Sequence, residues 1–209
     1  MNRKSICLLI FCIWAFSLGG TQSLSFSNGL NDPMERREEK LKLFREARDQ
    51  FFRENPQSPL TETARKKFKG LLYYPTDLRY AMIGVIERYP REAKPLYKDL
   101  STNKGRAKKY AKEGFFKFRW EGKEFVLQVY RPLGSGELFL PFRDKTSEIE
   151  THKEGRYLFI EQMPGGKVLI DFNRAYNPFC EYNGRYTCPL PPEENWLGIP
   201  VRAGEKRYR

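Results

Sequence analysis

The sequence predicts a mainly β protein, an antiparallel sheet of barrel-like or sandwich-like form with an N-terminal amphipathic helix, so that its class is α+β. Two observations predict this fold. Apolar residues recur at helical spacing in a charged segment before residue 55, and short β-rich runs punctuated by glycine and proline follow from Asp77 onward. With 209 residues, 40% hydrophobic and 15% aromatic, the chain can bury the core of one domain, which we expect over residues 32–209, with a β body at about 77–209.

The N-terminal residues predict a secretory signal peptide. Arg3 and Lys4 precede an apolar run from Ile6 to Leu18, and small residues follow it. The run is shorter than the roughly 20 apolar residues that span a bilayer. We therefore expect a signal peptide at 1–23, a short linker at 24–31, and an exported bacterial protein, periplasmic or secreted, without a transmembrane segment in its mature chain. An uncleaved N-terminal anchor is the alternative.

The first element of the domain is a helix predicted over residues 33–54. Asp32 is its N-cap, Pro33 fits the first helical position, and Glu35 completes a capping box. Asn55-Pro56 ends it. The residues that recur at three- and four-residue spacing form one apolar face: Leu41, Phe44, Ala47, Phe51 and Phe52.

Two hairpins are predicted in the β body. Residues 115–120 and 123–130 flank Glu121-Gly122, a two-residue turn in which glycine takes a positive φ. This turn sets a register with aromatic and aliphatic pairs on one face and opposite charges on the other: Phe118 with Phe125, Phe116 with Leu127, and Arg119 with Glu124. The second hairpin joins 156–162 to 168–173, after a short strand at 138–142. An ordered loop at 174–200 follows.

The cysteines predict one disulfide. Removal of residues 1–23 takes away two basic residues, no acidic residue and two cysteines, so the net charge falls from +12 to +10 and only Cys180 and Cys188 remain. Two cysteines in an exported chain favour a structural disulfide. A zinc half-site lacks the C-x-x-C spacing, and a reactive thiol pair stays as an alternative. The single histidine excludes multi-histidine metal sites, so we expect no metal and no cofactor.

The C-terminal third resembles a known family. Its distinctive segments are Asp171–Pro178 (DFNRAYNP), Cys188–Asn195 (CPLPPEEN) and Arg202–Lys206 (RAGEK), and Leu138–Ser147 and Gly155–Leu158 also match. They resemble the bacterial and archaeal family known as domain of unknown function 1684. The resemblance covers nearly the whole mature chain, and it implies no reaction, because the activity of that family is not established. The chain departs from the family pattern at 151–154, which weakens any role for His152.

The same region supplies the candidate ligand-binding residues. Asp, Asn, Arg, Tyr and Glu side chains on loops at strand ends suit the binding of a polar ligand. The alternative is that they hold an irregular loop through bonds to the backbone and through internal ion pairs. The candidates are Arg143, Asp144, Arg156, Tyr157, Asp171, Asn173, Tyr176, Asn177, Glu194 and Asn195.

The function predicted from these observations is that of a noncatalytic exported domain, ligand-binding or envelope-associated. Its partner would be a small polar or anionic ligand, or an anionic envelope surface facing the basic residues at 94–119. Nucleic acid is not expected, because no recognition motif is present. The rival is a hydrolase that uses carboxylates, tyrosines and arginines of residues 143–195. Its catalytic residues are unknown, because no catalytic motif is recognisable.

Overall fold

The computed structural model describes residues 33–90 and 96–208, so the predicted signal peptide, the linker and the Asp32 cap lie outside the described residues. The described part has two α-helices and seven β-strands, which confirms the predicted α+β class. The helices are α1 (Pro33–Glu54) and α2 (Glu62–Lys66). The strands are β1 (Ala81–Arg88), β2 (Tyr97–Ser101), β3 (Ala107–Trp120), β4 (Lys123–Pro132), β5 (Leu138–Phe142), β6 (Arg156–Gln162) and β7 (Lys167–Asp171).

The strands form a six-stranded antiparallel barrel with one extra strand. Neighbours follow the order β1-β7-β6-β5-β4-β3-β2, and β1 also pairs with β3, which closes the barrel. β3 has 14 residues, so its first part can pair with the extra strand β2 while its middle pairs with β1. A register shift lies between Lys112 and Gly114. Gly114 has φ +145°, and a Cβ there would lie 2.2 Å from the carbonyl oxygen of Glu87, so the closure requires glycine.

The β3–β4 hairpin has the predicted register. Phe118 faces Phe125, Phe116 faces Leu127, and Arg119 faces Glu124. Glu121 and Gly122 both have positive φ, at 48° and 78°, as a two-residue hairpin turn requires. β3 starts eight residues before the predicted strand, at Ala107, because its charged first part pairs with β2 rather than alternating between core and solvent.

The core fills the barrel, and α1 packs on its outside. Phe116, Leu127, Leu140 and Ile170 are each at most 1% exposed inside the barrel. α1 contributes its apolar face to a separate cluster, in which Phe52, Leu60 and Leu71 are buried beside Phe179, Tyr182 and Tyr208. Helix α1 thus packs against segments that lie far from it in the sequence. Neither helix of the described residues is both long enough and apolar enough to span a membrane.

Candidate functional site

Arg156 and Asp144 form a fully buried ion pair. Arg156 Nη2 lies 2.8 Å from Asp144 Oδ2 and donates to the carbonyl oxygen of Val201 at 2.7 Å, while Nη1 donates to the carbonyl oxygen of Ala203. Both side chains are at most 1% exposed. The carboxylate also accepts hydrogen bonds from the backbone of Thr146 and Val201. These two predicted ligand residues therefore bond to each other and to backbone groups, and burial leaves their charged groups no exposed surface.

Asp171 and Asn173 act as loop-forming residues at the end of β7. Asp171 Oδ1 accepts from the backbone N–H of Asn173 at 3.0 Å and from its side-chain amide at 2.8 Å. Asn173 in turn bonds the N–H and the carbonyl of Asp77 at 3.0 and 2.9 Å. This arrangement ties the chain before β1 to the end of β7.

Two other predicted asparagines also bridge backbone segments. Asn195 accepts from Gln128 N–H at 2.7 Å and donates to the carbonyls of Gln128 and Pro141, which joins β4 to β5. Asn177 donates to the carbonyl of Lys206 at 2.8 Å. Both are at most 1% exposed, and the amide nitrogen of each donates to backbone carbonyls.

Three of the four remaining predicted residues lie in separate places. Tyr157 donates to the carbonyl of Pro189 at 2.5 Å, and Glu194 accepts from Tyr130 at 2.8 Å. Arg143 pairs with Glu148 at 3.0 Å beside a cavity of about 300 Å³. The structure therefore distributes the predicted set over several networks, and its polar residues do not line a single pocket.

A groove of about 700 Å³ lies between α1 and the ends of β6 and β7 and is here called the helix groove. Asp171 is the predicted site residue that lines it. Four basic residues line it as well: Arg36, Arg37, Lys40 and Arg174. Its apolar lining comes from Leu41, Leu43, Phe44, Met163 and Leu169. The helix groove thus combines positive charge with an apolar floor.

Arg174 occupies one end of the helix groove. Its guanidinium lies 4.8 Å from the ring centroid of Phe44 and pairs with Glu161 at 3.0 Å. Beyond Phe44 and Arg174 a second cavity of about 360 Å³ continues past Arg48 and Tyr176. Tyr176, a predicted site residue, therefore lies beside the neighbouring cavity, with Arg48 stacked 4.8 Å from its ring centroid.

A cluster of thiol, imidazole and carboxylate groups lies near the loop at 174–200. His152 Nδ1 is 2.5 Å from Glu181 Oε2, and His152 Nε2 is 3.8 Å from Cys180 Sγ. The backbone N–H of Cys180 donates to Cys188 Sγ at 3.3 Å. Both cysteines are free thiols here, so the predicted disulfide stays a prediction. We call Cys180, Cys188, His152 and Glu181 the thiol cluster.

The two thiols of the thiol cluster influence each other's acidity. The hydrogen bond between them, together with burial, raises the pKa of the Cys180 thiol. The same bond lowers the pKa of the Cys188 thiol to about 7, assisted by the Cys180 N–H and by the charge of Lys108, against the opposing effect of burial. Cys188 is the thiol of the pair that ionises first.

The basic hairpin β2–β3 holds the segment before Cys188. Lys104 Nζ donates to the carbonyl of Arg185 at 2.7 Å, and Lys108 Nζ donates to that of Thr187 at 3.2 Å. Asn103 Oδ1 accepts from the N–H of Cys188 at 2.9 Å. Part of the basic cluster predicted as a surface for anions therefore stabilises the loop that carries Cys188.

The sequence analysis gave His152 a weakened role and named neither Glu181 nor the basic residues of α1 as candidates. His152 lies 28 residues before Cys180, and a lone histidine in a loop carries no signal of its partner. Arg36, Arg37 and Lys40 look like ordinary solvated helix residues in the sequence. The apolar face of α1 was a sequence signal that the helix docks on the sheet. This docking brings the flanking basic residues next to β7. No group of three or more His, Cys, Asp or Glu residues in the described part is arranged to hold a metal ion.

Comparisons with known proteins give a family and a fold relative. A structure of an uncharacterized protein from Haloarcula marismortui, solved by solution NMR, is 34% identical, with a TM-score of 0.66; the match covers 85% of this chain and 97% of that one. No curated protein matches the chain. The family model described as "Protein of unknown function (DUF1684)" matches residues 66–206. Because this match spans most of the chain, as does the resemblance of its motifs, the protein belongs to the DUF1684 family.

Proposed function

We propose that this protein is an exported, noncatalytic binding domain that holds a small anionic amphiphile in the helix groove. The observation that carries the proposal is the composition of that groove, in which basic side chains surround an apolar floor. A ligand with a negatively charged head and a short apolar tail complements both features. Export is inferred from the basic start and apolar run of residues 1–23.

The charge balance of the helix groove favours an anion. Among the described residues, Arg36, Arg37 and Lys40 make no ion pair, whereas Glu161 is neutralised by Arg174. Asp171 is the second acidic lining residue, and one of its oxygens already accepts two hydrogen bonds from Asn173. The side chains that line the helix side of the groove and carry a charge are therefore all basic.

The rival hydrolase function fits the geometry less well. Asp144 and Glu194 bond in separate networks, to Arg156 and Tyr130. Asp171 and Glu161 both line the helix groove, but Asp171 accepts two bonds from Asn173, and Glu161 is paired with Arg174. A pair of carboxylates acting on one substrate has to converge on it. The binding function is therefore the better supported of the two.

The proposal is tested with amphiphiles that have the same tail and opposite head charge. We expect calorimetric titration to show binding of decanoate and no comparable binding of decyltrimethylammonium. The double charge reversal Arg36→Glu with Lys40→Glu should weaken decanoate binding by about tenfold or more, and added salt should weaken binding to the unaltered protein. Lys42→Glu, an exposed change on the same helix outside the groove lining, is the matched control. Equal binding of both amphiphiles, or equal loss in the control, would contradict the proposal.

Export is tested separately. Residues 1–32 fused to alkaline phosphatase, which is active only after export, should give an active fusion in a bacterial host. Replacement of Arg3 and Lys4 by glutamate should reduce that activity, because the positive start of a signal peptide directs its insertion. An inactive fusion would argue against export without affecting the ligand proposal.

A further inference from the structure

The thiol cluster has the parts of a nucleophilic thiol site. Glu181 Oε2 accepts from His152 Nδ1 at 2.5 Å, so the Nδ1–H tautomer is assigned from this bond and Nε2 is left as the acceptor. Nε2 faces Cys180 Sγ at 3.8 Å. The cluster thus contains a nucleophile, a base in contact with it, and a third group in contact with the base.

A second thiol completes the cluster. Cys188 Sγ accepts from the Cys180 backbone N–H at 3.3 Å, and Asn103 fixes the backbone of Cys188 from the other side through two bonds. Cys180 is half-buried, whereas Cys188 is 7% exposed. An external reagent therefore reaches Cys180 more readily, and Cys188 lies in position to react with Cys180 afterwards.

We propose that Cys180 and Cys188 are a redox-active dithiol that exchanges with external disulfides, with His152 as its base and Glu181 as the residue that positions His152. This goes beyond a structural disulfide, because it assigns the pair a reaction and a base. It is also independent of the ligand proposed for the helix groove.

The exchange consists of two balanced steps. His152 Nε2 takes the proton of Cys180 as its sulfur attacks an external disulfide; a mixed disulfide forms, and the leaving thiolate receives that proton. Cys188 then attacks the Cys180 sulfur, the Cys180–Cys188 bond forms, and the second external thiol leaves with the Cys188 proton. The pair loses two electrons and two protons, and the external disulfide gains both to become two thiols.

The groups around the cluster are compatible with this chemistry. Lys108 of β3 is a cation that favours a thiolate on Cys188. Tyr110 of β3 and Tyr157 of β6 lie near the sulfurs, and burial raises the pKa of each phenol, so they stay neutral. Glu181 is the nearby carboxylate, and its other oxygen accepts from Tyr208 N–H at 2.8 Å. The raised pKa of the Cys180 thiol means that its attack requires a base, which His152 Nε2 is placed to supply.

The test measures disulfide formation in the reduced full-length protein with oxidised glutathione as the probe. Samples are quenched with N-ethylmaleimide and counted by intact mass at several pH values. We expect His152→Gln to slow the reaction at pH 7 by about 100-fold, the size of a general-base contribution, and the difference to shrink at alkaline pH where hydroxide replaces the base. Glu181→Gln should give an intermediate rate with an altered pH profile. Arg185→Gln, an exposed change in the same loop, is the matched control and should react as the unaltered protein does.

A second comparison uses only the unaltered protein, so it remains valid if a variant does not fold. The native dithiol should react faster with glutathione at pH 7 than the same protein unfolded in guanidinium, where both thiols behave as ordinary cysteines. A native rate no faster than the unfolded rate, or a folded His152→Gln protein as fast as Arg185→Gln, would overturn the proposal. Either result would assign the pair a structural role only.

Discussion

Arg48 Nε lies 2.6 Å from the carboxylate of Glu205, and this largely buried ion pair joins helix α1 to the motif at residues 202–206. The other carboxylate oxygen of Glu205 accepts from Asn177 N–H at 2.8 Å and from Tyr182 at 2.7 Å. Glu205 is fully buried. One side chain therefore connects the first helix, the loop after β7 and the C-terminal segment.

We expect Glu205→Gln to lower the free energy of unfolding by about 3 kcal/mol, because removal of one partner leaves the buried charge of Arg48 uncompensated. Urea unfolding followed by circular dichroism measures this change. Arg79→Gln breaks an exposed pair with Asp77 and is the matched control, with stability close to that of the unaltered protein. Equal stability of the two variants would show that the Arg48–Glu205 pair does not hold the helix.

Asp171→Asn should lower the free energy of unfolding by about 1–2 kcal/mol. The charged oxygen that accepts two bonds from Asn173 becomes a neutral amide oxygen, and bonds to charged groups are the stronger ones. The melting temperature measures the loss, with the exposed Asp99→Asn as control. An unchanged melting temperature would instead support the predicted ligand role of Asp171, whose side chain lines the helix groove.

Acid should weaken the barrel through Glu113. This carboxylate bridges Arg131 of β4 and Arg88 of β1, at 2.6 and 2.7 Å. The hydrogen bond from Arg131, together with the charges of both arginines, lowers the pKa of Glu113. A carboxyl pKa that is lower in the folded state adds stability above its unfolded value of about 4.3, and this stability is lost as the pH falls through the folded value.

Urea unfolding at pH 7, 4 and 3 checks the effect of Glu113. We expect the unaltered protein to be more stable than Glu113→Gln at pH 7, and the difference to shrink steadily below pH 4. The exposed Glu46→Gln on α1 is the control. A difference that stays constant with pH would assign the effect to lost packing rather than to the charge of Glu113.

Protein purified from an oxidising compartment should contain the Cys180–Cys188 disulfide. The bond closes a short loop, and by the chain-entropy account it stabilises the fold by about 2–3 kcal/mol. Alkylation followed by intact-mass measurement should find no free thiol before reduction and two after reduction in the mature chain. Two free thiols in the exported, unreduced protein would contradict the prediction.

The parts of the fold that could be predicted depend on neighbours in sequence. The apolar face of α1 and the turn at Glu121-Gly122 are local signals, so the helix and the register of β3 with β4 followed from them. The barrel closure of β1 on β3 depends on residues about 30 positions apart, such as Ile86 and Phe116, and no local pattern specifies that pairing.

Which of the candidate polar residues bind a ligand and which hold the fold could not be predicted, for a physical reason. Asp, Asn and Arg side chains can bind a ligand, or they can satisfy buried backbone groups. The sequence looks the same in both cases, and only burial distinguishes them. Arg156, fully buried against three carbonyl oxygens, is the clearest example. The helix groove instead depends on how α1 docks, which is a tertiary property.

The bonds made by residues 201–206 also bear on the timing of folding. Arg156 requires the carbonyls of Val201 and Ala203, and Arg48 requires the carboxylate of Glu205, yet these acceptors are synthesised after every strand of the barrel. A growing chain that lacks them leaves Arg48 without its carboxylate partner and Arg156 without its carbonyl acceptors, which disfavours the native state. We therefore expect the native state to form only once residues 201–206 are present, so the last residues of the sequence control when the whole barrel can fold.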